Sequence, residues 1–183
     1  MNEKVTIGTL ARMKRDGRKI VGVVAWDYQI AAIADRAGVE IVSVGDSVGV
    51  NLWGHRSPLE VTMEQMLVVC QAVRRAVSRA LVSVDIPFGP VQEGTASAVR
   101  AAVRMAKEAG ADLVKIDGAA DFPEAVSAVA RAGARRPTAS WAWASTERIS
   151  NSNTASDPMD SSIARSAQAR YCPTSPASPH RRP

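Results

Sequence analysis

The chain has 183 residues, 46% hydrophobic and 22% charged, which suits one domain with a real core and is too short for two. No window approaches the roughly 18 apolar residues of a membrane-spanning helix, and Met1-Asn2-Glu3-Lys4-Val5 lacks the layout of a secretory signal, so a cytoplasmic protein without a membrane partner is expected. The formal charge of +5 divides into +1 over residues 1–133 and +4 over residues 134–183, with no aromatic platform among the basic residues, which argues against a nucleic-acid partner.

Thr6 to about Lys14 reads as a short capped helix that Asp16-Gly17 ends. The apolar run Ile20-Val21-Gly22-Val23-Val24-Ala25 is the first candidate strand. Asp27 caps a helix through Gly38, with Ile30, Ala31, Ile33, Ala34 and Ala37 on one apolar face. The second strand, Glu40-Ile41-Val42-Ser43-Val44, stops abruptly on Gly45-Asp46-Ser47-Val48-Gly49, and an irregular segment from Val50 to Glu60 is expected to follow. Thr62 with Gln65 is a capping-box start for a long helix that buries Met66, Val69, Cys70, Val73 and Val77. Leu81-Val82-Ser83-Val84-Asp85 is the third strand, broken by Pro87, and Thr95 to Ala109 is a helix that Gly110 closes. Leu113-Val114-Lys115-Ile116-Asp117 is the fourth strand, followed by a helix from Pro123 to Ala132.

Strand-helix units in succession, with strands that are apolar throughout, argue for a parallel sheet covered by helices. Doubly wound sheets and (β/α)8 TIM barrels both satisfy this. Acids at the ends of several different strands favour the barrel, which assembles its site at the C-terminal face. Only about the first four β/α units are present, so the domain is read as residues 1–134. Residues 135–183 change character: Arg135-Arg136-Pro137 opens a stretch rich in Ser, Ala, Thr, Pro and Arg, with Trp141-Ala142-Trp143 as its one strongly apolar patch. Its apolar surface is too small to offset the ordering entropy, and a low-complexity, disordered or out-of-frame tail is expected.

Asp46, Asp85 and Asp117 stand at equivalent places on successive units. Singly, each reads as readily as a helix cap or a solvated loop acid; together they converge on one crevice. Three oxygen donors there suit a hard divalent cation such as Mg2+, which also relieves their mutual repulsion. Lys115, two residues before Asp117 and so on the same strand face, needs an anionic partner, either a substrate carboxylate or a neighbouring Asp. Ser47 offers a hydroxyl and a backbone N–H to an anion, or is a plain turn residue. Gly45-Asp46-Ser47 also matches the nucleophile block of GDS-type esterases, but neither His55 nor His180 has the Asp three residues earlier that such a site requires, so Ser47 lacks a base. Cys70 reads as core, and Cys70 with Cys172 are too few for a disulfide framework or a zinc site.

Together the segments resemble the N-terminal half of the ketopantoate hydroxymethyltransferase family, barrels of the phosphoenolpyruvate mutase/isocitrate lyase type. The matching residues are Thr6-Ile7-Gly8-Thr9-Leu10, Ala25-Trp26-Asp27-Tyr28, Val44-Gly45-Asp46-Ser47-Val48-Gly49, Gly54-His55-Arg56-Ser57, Asp85-Ile86-Pro87-Phe88-Gly89 and Ala109 to Gly118, in order from about residue 5 to residue 133. The resemblance implies Mg2+-dependent transfer of a hydroxymethyl group from 5,10-methylenetetrahydrofolate to 2-oxoisovalerate, on the path to pantothenate. Asp46 and Asp85 would hold the metal, Ser47 and Asp85 would lie against the oxo acid, and Lys115 would bind its carboxylate. The metal would acidify C3 of the oxo acid, and the resulting enolate would attack the folate-borne carbon. The full-length family is expected to form homo-oligomers. Asp117 stands where the family has Glu, and the family's later catalytic Glu, its proton-abstracting base, has no counterpart after Gly133. A truncated or frameshifted chain of low or no activity is therefore expected. The other readings are a lyase or mutase of the same superfamily acting on another 2-oxo acid, and a non-catalytic half-barrel that pairs with a partner.

Overall fold

The computed structural model describes residues 3–133. The first helix, α1 (Ile7–Arg15), is closed at its start by a reciprocal capping box in which the Thr6 and Thr9 hydroxyls accept each other's backbone N–H groups. Strand and helix then alternate: β1 (Gly22–Val24), α2 (Tyr28–Ala37), β2 (Ile41–Val44), α3 (Val48–Trp53), a 3-10 turn (Pro58–Glu60), α4 (Met63–Ala76), β3 (Leu81–Asp85), α5 (Thr95–Lys107), β4 (Leu113–Lys115) and α6 (Pro123–Gly133). Asp27 caps α2 by accepting from Ile30 N at 2.8 Å, and Thr62 with Gln65 forms the capping box of α4. The expectation for residues 135–183 lies outside the described residues.

All strand pairings are parallel and the sheet order is β1-β2-β3-β4. Each crossover therefore delivers the chain to the next strand on the same side. A doubly wound sheet reverses direction at a switch point; this one does not, and it has the order of a barrel segment. Residues alternate between the two faces with a period of two. Val42, Val44, Val82, Val84, Val114 and Ile116 point into the main core, against the helices. The buried side of α4, made by Met66, Leu67, Val69, Cys70 and Val73, packs into the same core. Each such fully buried side chain contributes about 1.5–3 kcal/mol. On the opposite face Ile41, Leu81 and Leu113 make a second small cluster with Val5 and Leu10, so the segment around α1 closes the N-terminal end of that face.

β1 is an open edge. All three of its residues are exposed, with Val24 at 49% and the preceding Val21 at 50%.

Two local expectations are corrected. The segment after Gly49 is not irregular from Val50: a six-residue helix runs to Trp53, and Gly54 ends it in the left-handed region at φ +68°. Its Val and Gly residues are weak helix formers, which hides it from periodicity, but the tertiary setting selects it. Val48 and Gly49 are buried, and a Cβ on Gly49 would lie 2.9 Å from His55 Cδ2 and 3.0 Å from Val61 Cβ, so only glycine fits that contact. The fourth strand ends at Lys115 and not at Asp117; Ile116 is still buried, while Asp117 has left the ladder.

Candidate active site at the C-terminal ends of the strands

The face that carries Ile41, Leu81 and Leu113 at its lower end carries polar groups above them. Moving up in steps of two, β2 presents Ser43 and then Gly45, β3 presents Ser83 and then Asp85, and β4 presents Lys115. Ser43 pairs with Ser83, and Asp85 pairs with Lys115 across the β3–β4 ladder. The Lys115–Asp85 contact is thus a consequence of register. Lys115 Nζ donates to Asp85 Oδ2 at 2.7 Å and reaches Asp117 Oδ1 at 2.8 Å.

Asp46, Asp85 and Asp117 each offer one carboxylate oxygen, and these oxygens lie within 4.8 Å of one another. The residues arrive by three routes. Asp85 is the last residue of β3 and 5% exposed, Asp46 sits in the turn between β2 and α3, and Asp117 is an exposed acid two residues beyond β4. Ser47 precedes α3, and its hydroxyl makes no capping bond there. A Cβ placed on Gly45 would meet Ser47 Oγ at 3.3 Å and Asp85 Oδ2 at 3.7 Å, so the missing side chain leaves open the space between hydroxyl and carboxylate.

Burial pushes the Asp85 carboxyl above its ordinary range; the Lys115 hydrogen bond and charge pull it back without cancelling the effect. Asp46 is raised in the same direction, by burial first and by the Asp117 charge second. Burial works against the charge on Lys115, but the hydrogen bonds it donates to Asp117 and Asp85 outweigh it and hold the ammonium more firmly protonated than usual. Lys115 is therefore a fixed cation and not a base. Asp85 Oδ1 is buried and has no hydrogen-bond partner among the described residues. A buried, unsatisfied carboxylate oxygen is costly, and here it belongs to the same acid that two other carboxylates approach. Three hard oxygen donors, an orphaned Asp85 Oδ1 and the open space over Gly45 fit a small divalent cation.

One supporting feature was not legible as such in the sequence. Asp35, on α2, accepts from Ser78 N and Oγ at 2.9 Å each, from Arg79 N at 3.1 Å and from Ala80 N at 2.7 Å, and so anchors the segment that leads into β3. Its signal was a carboxylate on the helix face that also buries Ala31 and Ala34. His55 is a structural residue: its Nε2 lies 3.1–3.2 Å from the Gln65 side-chain amide and its ring stacks on Trp53. Cys70 is a buried free thiol whose pKa burial pushes up to about 12, which makes it inert. No helix among the described residues is long and apolar enough to cross a membrane.

A sequence profile described as ketopantoate hydroxymethyltransferase matches residues 4–135. The 3-methyl-2-oxobutanoate hydroxymethyltransferase of Cytophaga hutchinsonii is 43% identical over 131 residues, covering 72% of this chain and 48% of the relative. The protein of that name from an Anaeromyxobacter species is 45% identical over 135 residues, covering 71% and 44%. The chain thus spans about half the length of the curated relatives it matches. Among solved structures, the trigonal crystal form of 2,3-dimethylmalate lyase, a phosphoenolpyruvate mutase/isocitrate lyase superfamily member, aligns with a TM-score of 0.54 at 13% identity over 73% of this chain and 50% of that one. Oxaloacetate acetylhydrolase aligns with a TM-score of 0.52 at 10% identity, over 68% and 47%. At these identities the structures speak for the fold alone.

Proposed function

The chain belongs to the ketopantoate hydroxymethyltransferase family, and from that premise we propose that residues 4–135 form the metal- and oxo-acid-binding half of a 3-methyl-2-oxobutanoate hydroxymethyltransferase. The observation that carries the reading is the grouping of Asp46, Asp85 and Asp117 within 4.8 Å, beside a lysine and around a buried carboxylate oxygen without a partner.

In this reading Asp46 and Asp85 hold Mg2+, with Asp117 beside them. Bound Mg2+ supplies the positive charge that acidifies the carbon next to the 2-oxo group. The chain's own residues do the rest of the binding. Lys115, kept charged by its acidic neighbours, receives the substrate carboxylate, and the Ser47 hydroxyl, not spent on capping α3, is free to donate to it. Gly45 leaves the room in which the oxo acid lies between Ser47 and Asp85. The sheet face below is closed by Ile41, Leu81 and Leu113, which shield that end of the cradle from water. The relatives' name supports 3-methyl-2-oxobutanoate (2-oxoisovalerate) as the substrate, and 5,10-methylenetetrahydrofolate as the one-carbon donor belongs to the same reading. Assembly into homo-oligomers and a cytoplasmic setting belong to the same reading.

In this reading the family's proton-abstracting Glu, which follows the fourth helix, has no counterpart after Gly133 in this sequence. We read residues 135–183 as an out-of-frame or otherwise aberrant continuation, because the family match stops at 135, where the composition changes. Hydroxymethyl transfer by this 183-residue chain is accordingly expected to be low or absent, since one positioned acid–base group alone contributes about 10²–10⁴-fold.

Calorimetric titration tests the reading. 2-Oxoisovalerate should bind the purified chain in the presence of Mg2+ and lose that binding in EDTA. Equal binding with and without metal would refute the cradle, and ordinary folate-dependent turnover would refute the missing base.

A further inference from the structure

The cradle already contains one cation. Lys115 Nζ lies 2.7 Å from Asp85 Oδ2 and 2.8 Å from Asp117 Oδ1, so it engages two of the three carboxylates that a divalent ion would use. The pair is built into the sheet, because Asp85 and Lys115 are register partners in neighbouring strands. The lysine is nonetheless not sealed in: its side chain is 38% exposed, against 7% for that of Asp85, so it has an outward path while Asp85 has none. A metal drawn to the free Asp85 Oδ1 would share one buried carboxylate with the ammonium on Oδ2. Two cations a few ångströms apart repel, and burial leaves little solvent to screen them.

Resting on the metal reading above, we propose that Lys115 is a tethered competitor for the divalent cation. Metal entry at Asp46 and Asp85 displaces the ammonium from Asp85 and from the neighbouring Asp117, and the displaced ammonium becomes the group that takes the carboxylate of the 2-oxo acid. The two binding events are thereby coupled. The metal releases the lysine that the oxo acid needs, and the oxo acid, by holding the lysine, keeps it from returning to the carboxylates. Linkage makes the effect reciprocal, so the oxo acid tightens metal binding by the same factor by which metal tightens oxo-acid binding.

The test uses the full 183-residue chain and Mn2+ as the probe, with free Mn2+ read by electron paramagnetic resonance. Wild type and Lys115→Met are titrated with and without 2-oxoisovalerate. Lys115→Met should bind Mn2+ about tenfold tighter or more, the effect of removing one competing charge. The oxo acid should strengthen Mn2+ binding by about fivefold or more in wild type, and not in the variant. A second readout needs no variant: acetylation of Lys115 by acetic anhydride, followed by mass spectrometry, should speed up when Mn2+ is added and slow again with the oxo acid. The exchange is overturned alone if wild type binds Mn2+ but Lys115→Met binds it no tighter, or if Mn2+ leaves Lys115 acetylation unchanged or slower. If neither protein binds Mn2+, the metal reading falls and takes the exchange with it.

Discussion

Replacing Asp35 by alanine removes a carboxylate that accepts from four donor groups, the Ser78 N–H and hydroxyl and the N–H groups of Arg79 and Ala80. The three backbone N–H groups differ in what happens next. Ala80 is fully buried, so its N–H loses its partner with no water to replace it, at a cost of about 1–3 kcal/mol. Ser78 is exposed and Arg79 half-buried, so water reaches their N–H groups and each loss falls nearer about 0.5–1 kcal/mol. The total is about 3 kcal/mol, a large part of the roughly 5–15 kcal/mol that ordinarily stabilises a domain. At a urea slope of about 2 kcal/mol per molar, the midpoint should fall by about 1.5 M, followed by tryptophan fluorescence. The pH dependence gives an independent check. Burial opposes the charge on Asp35, but the N–H donors of Ala80 and Ser78, the Ser78 hydroxyl and the Arg79 N–H outweigh it, leaving the folded-state pKa below the ordinary 3.8. Its stabilising contribution is therefore present above the unfolded-state value and is lost as the pH falls through the folded-state value. The gap between wild type and Asp35→Ala should narrow in acid. A loss under about 1 kcal/mol, or a gap that widens as the pH falls, would refute the reasoning.

Three further outcomes are expected. Asp85→Asn removes a charge that burial disfavours, so the variant should be no less heat-stable at neutral pH by calorimetry, while Mn2+ binding weakens by about 10²-fold or more. In the wild type, Asp85 and Asp46 are both raised, so protons should begin to displace Mn2+ at a higher pH than for ordinary carboxylates, and an affinity unchanged down to about pH 4 would count against the site. Gly45→Ala places a methyl 3.3 Å from Ser47 Oγ and 3.7 Å from Asp85 Oδ2. Circular dichroism should be unchanged, while Mg2+-dependent binding of 2-oxoisovalerate weakens by about tenfold, within the usual cost of overfilling a packed space; unaltered binding would show that the space is not used.

Much of the architecture was legible because parallel strands buried on both faces are continuous apolar runs, and the residue that ends each run is conspicuous. Val44-Gly45-Asp46 and Val84-Asp85 announce their strand ends in this way, and the capping residues Asp27 and Thr62 mark the helices that follow. The short helix after Ser47 was not legible, since Val48, Gly49 and Val50 are poor helix formers, and its close packing rests on Gly49 against His55 and Val61. Asp35 was passed over for a related reason: local pattern marks it as an acid on an apolar helix face, and only its partners some 43–45 residues away explain it.

What the sequence determined by itself is the alternation of strands and capped helices, α3 apart, and the chemical kinds of group at the strand ends: three carboxylates, a lysine and a hydroxyl. Only the tertiary structure decided that the strands lie in the order β1-β2-β3-β4, and that Asp85 faces Lys115 while Asp85 Oδ1 is left without a partner. The reason is physical. Periodicity and capping act among residues a few positions apart, whereas strand order and register follow from how whole apolar faces pack, and one residue of register would turn Lys115 from the acids into the core.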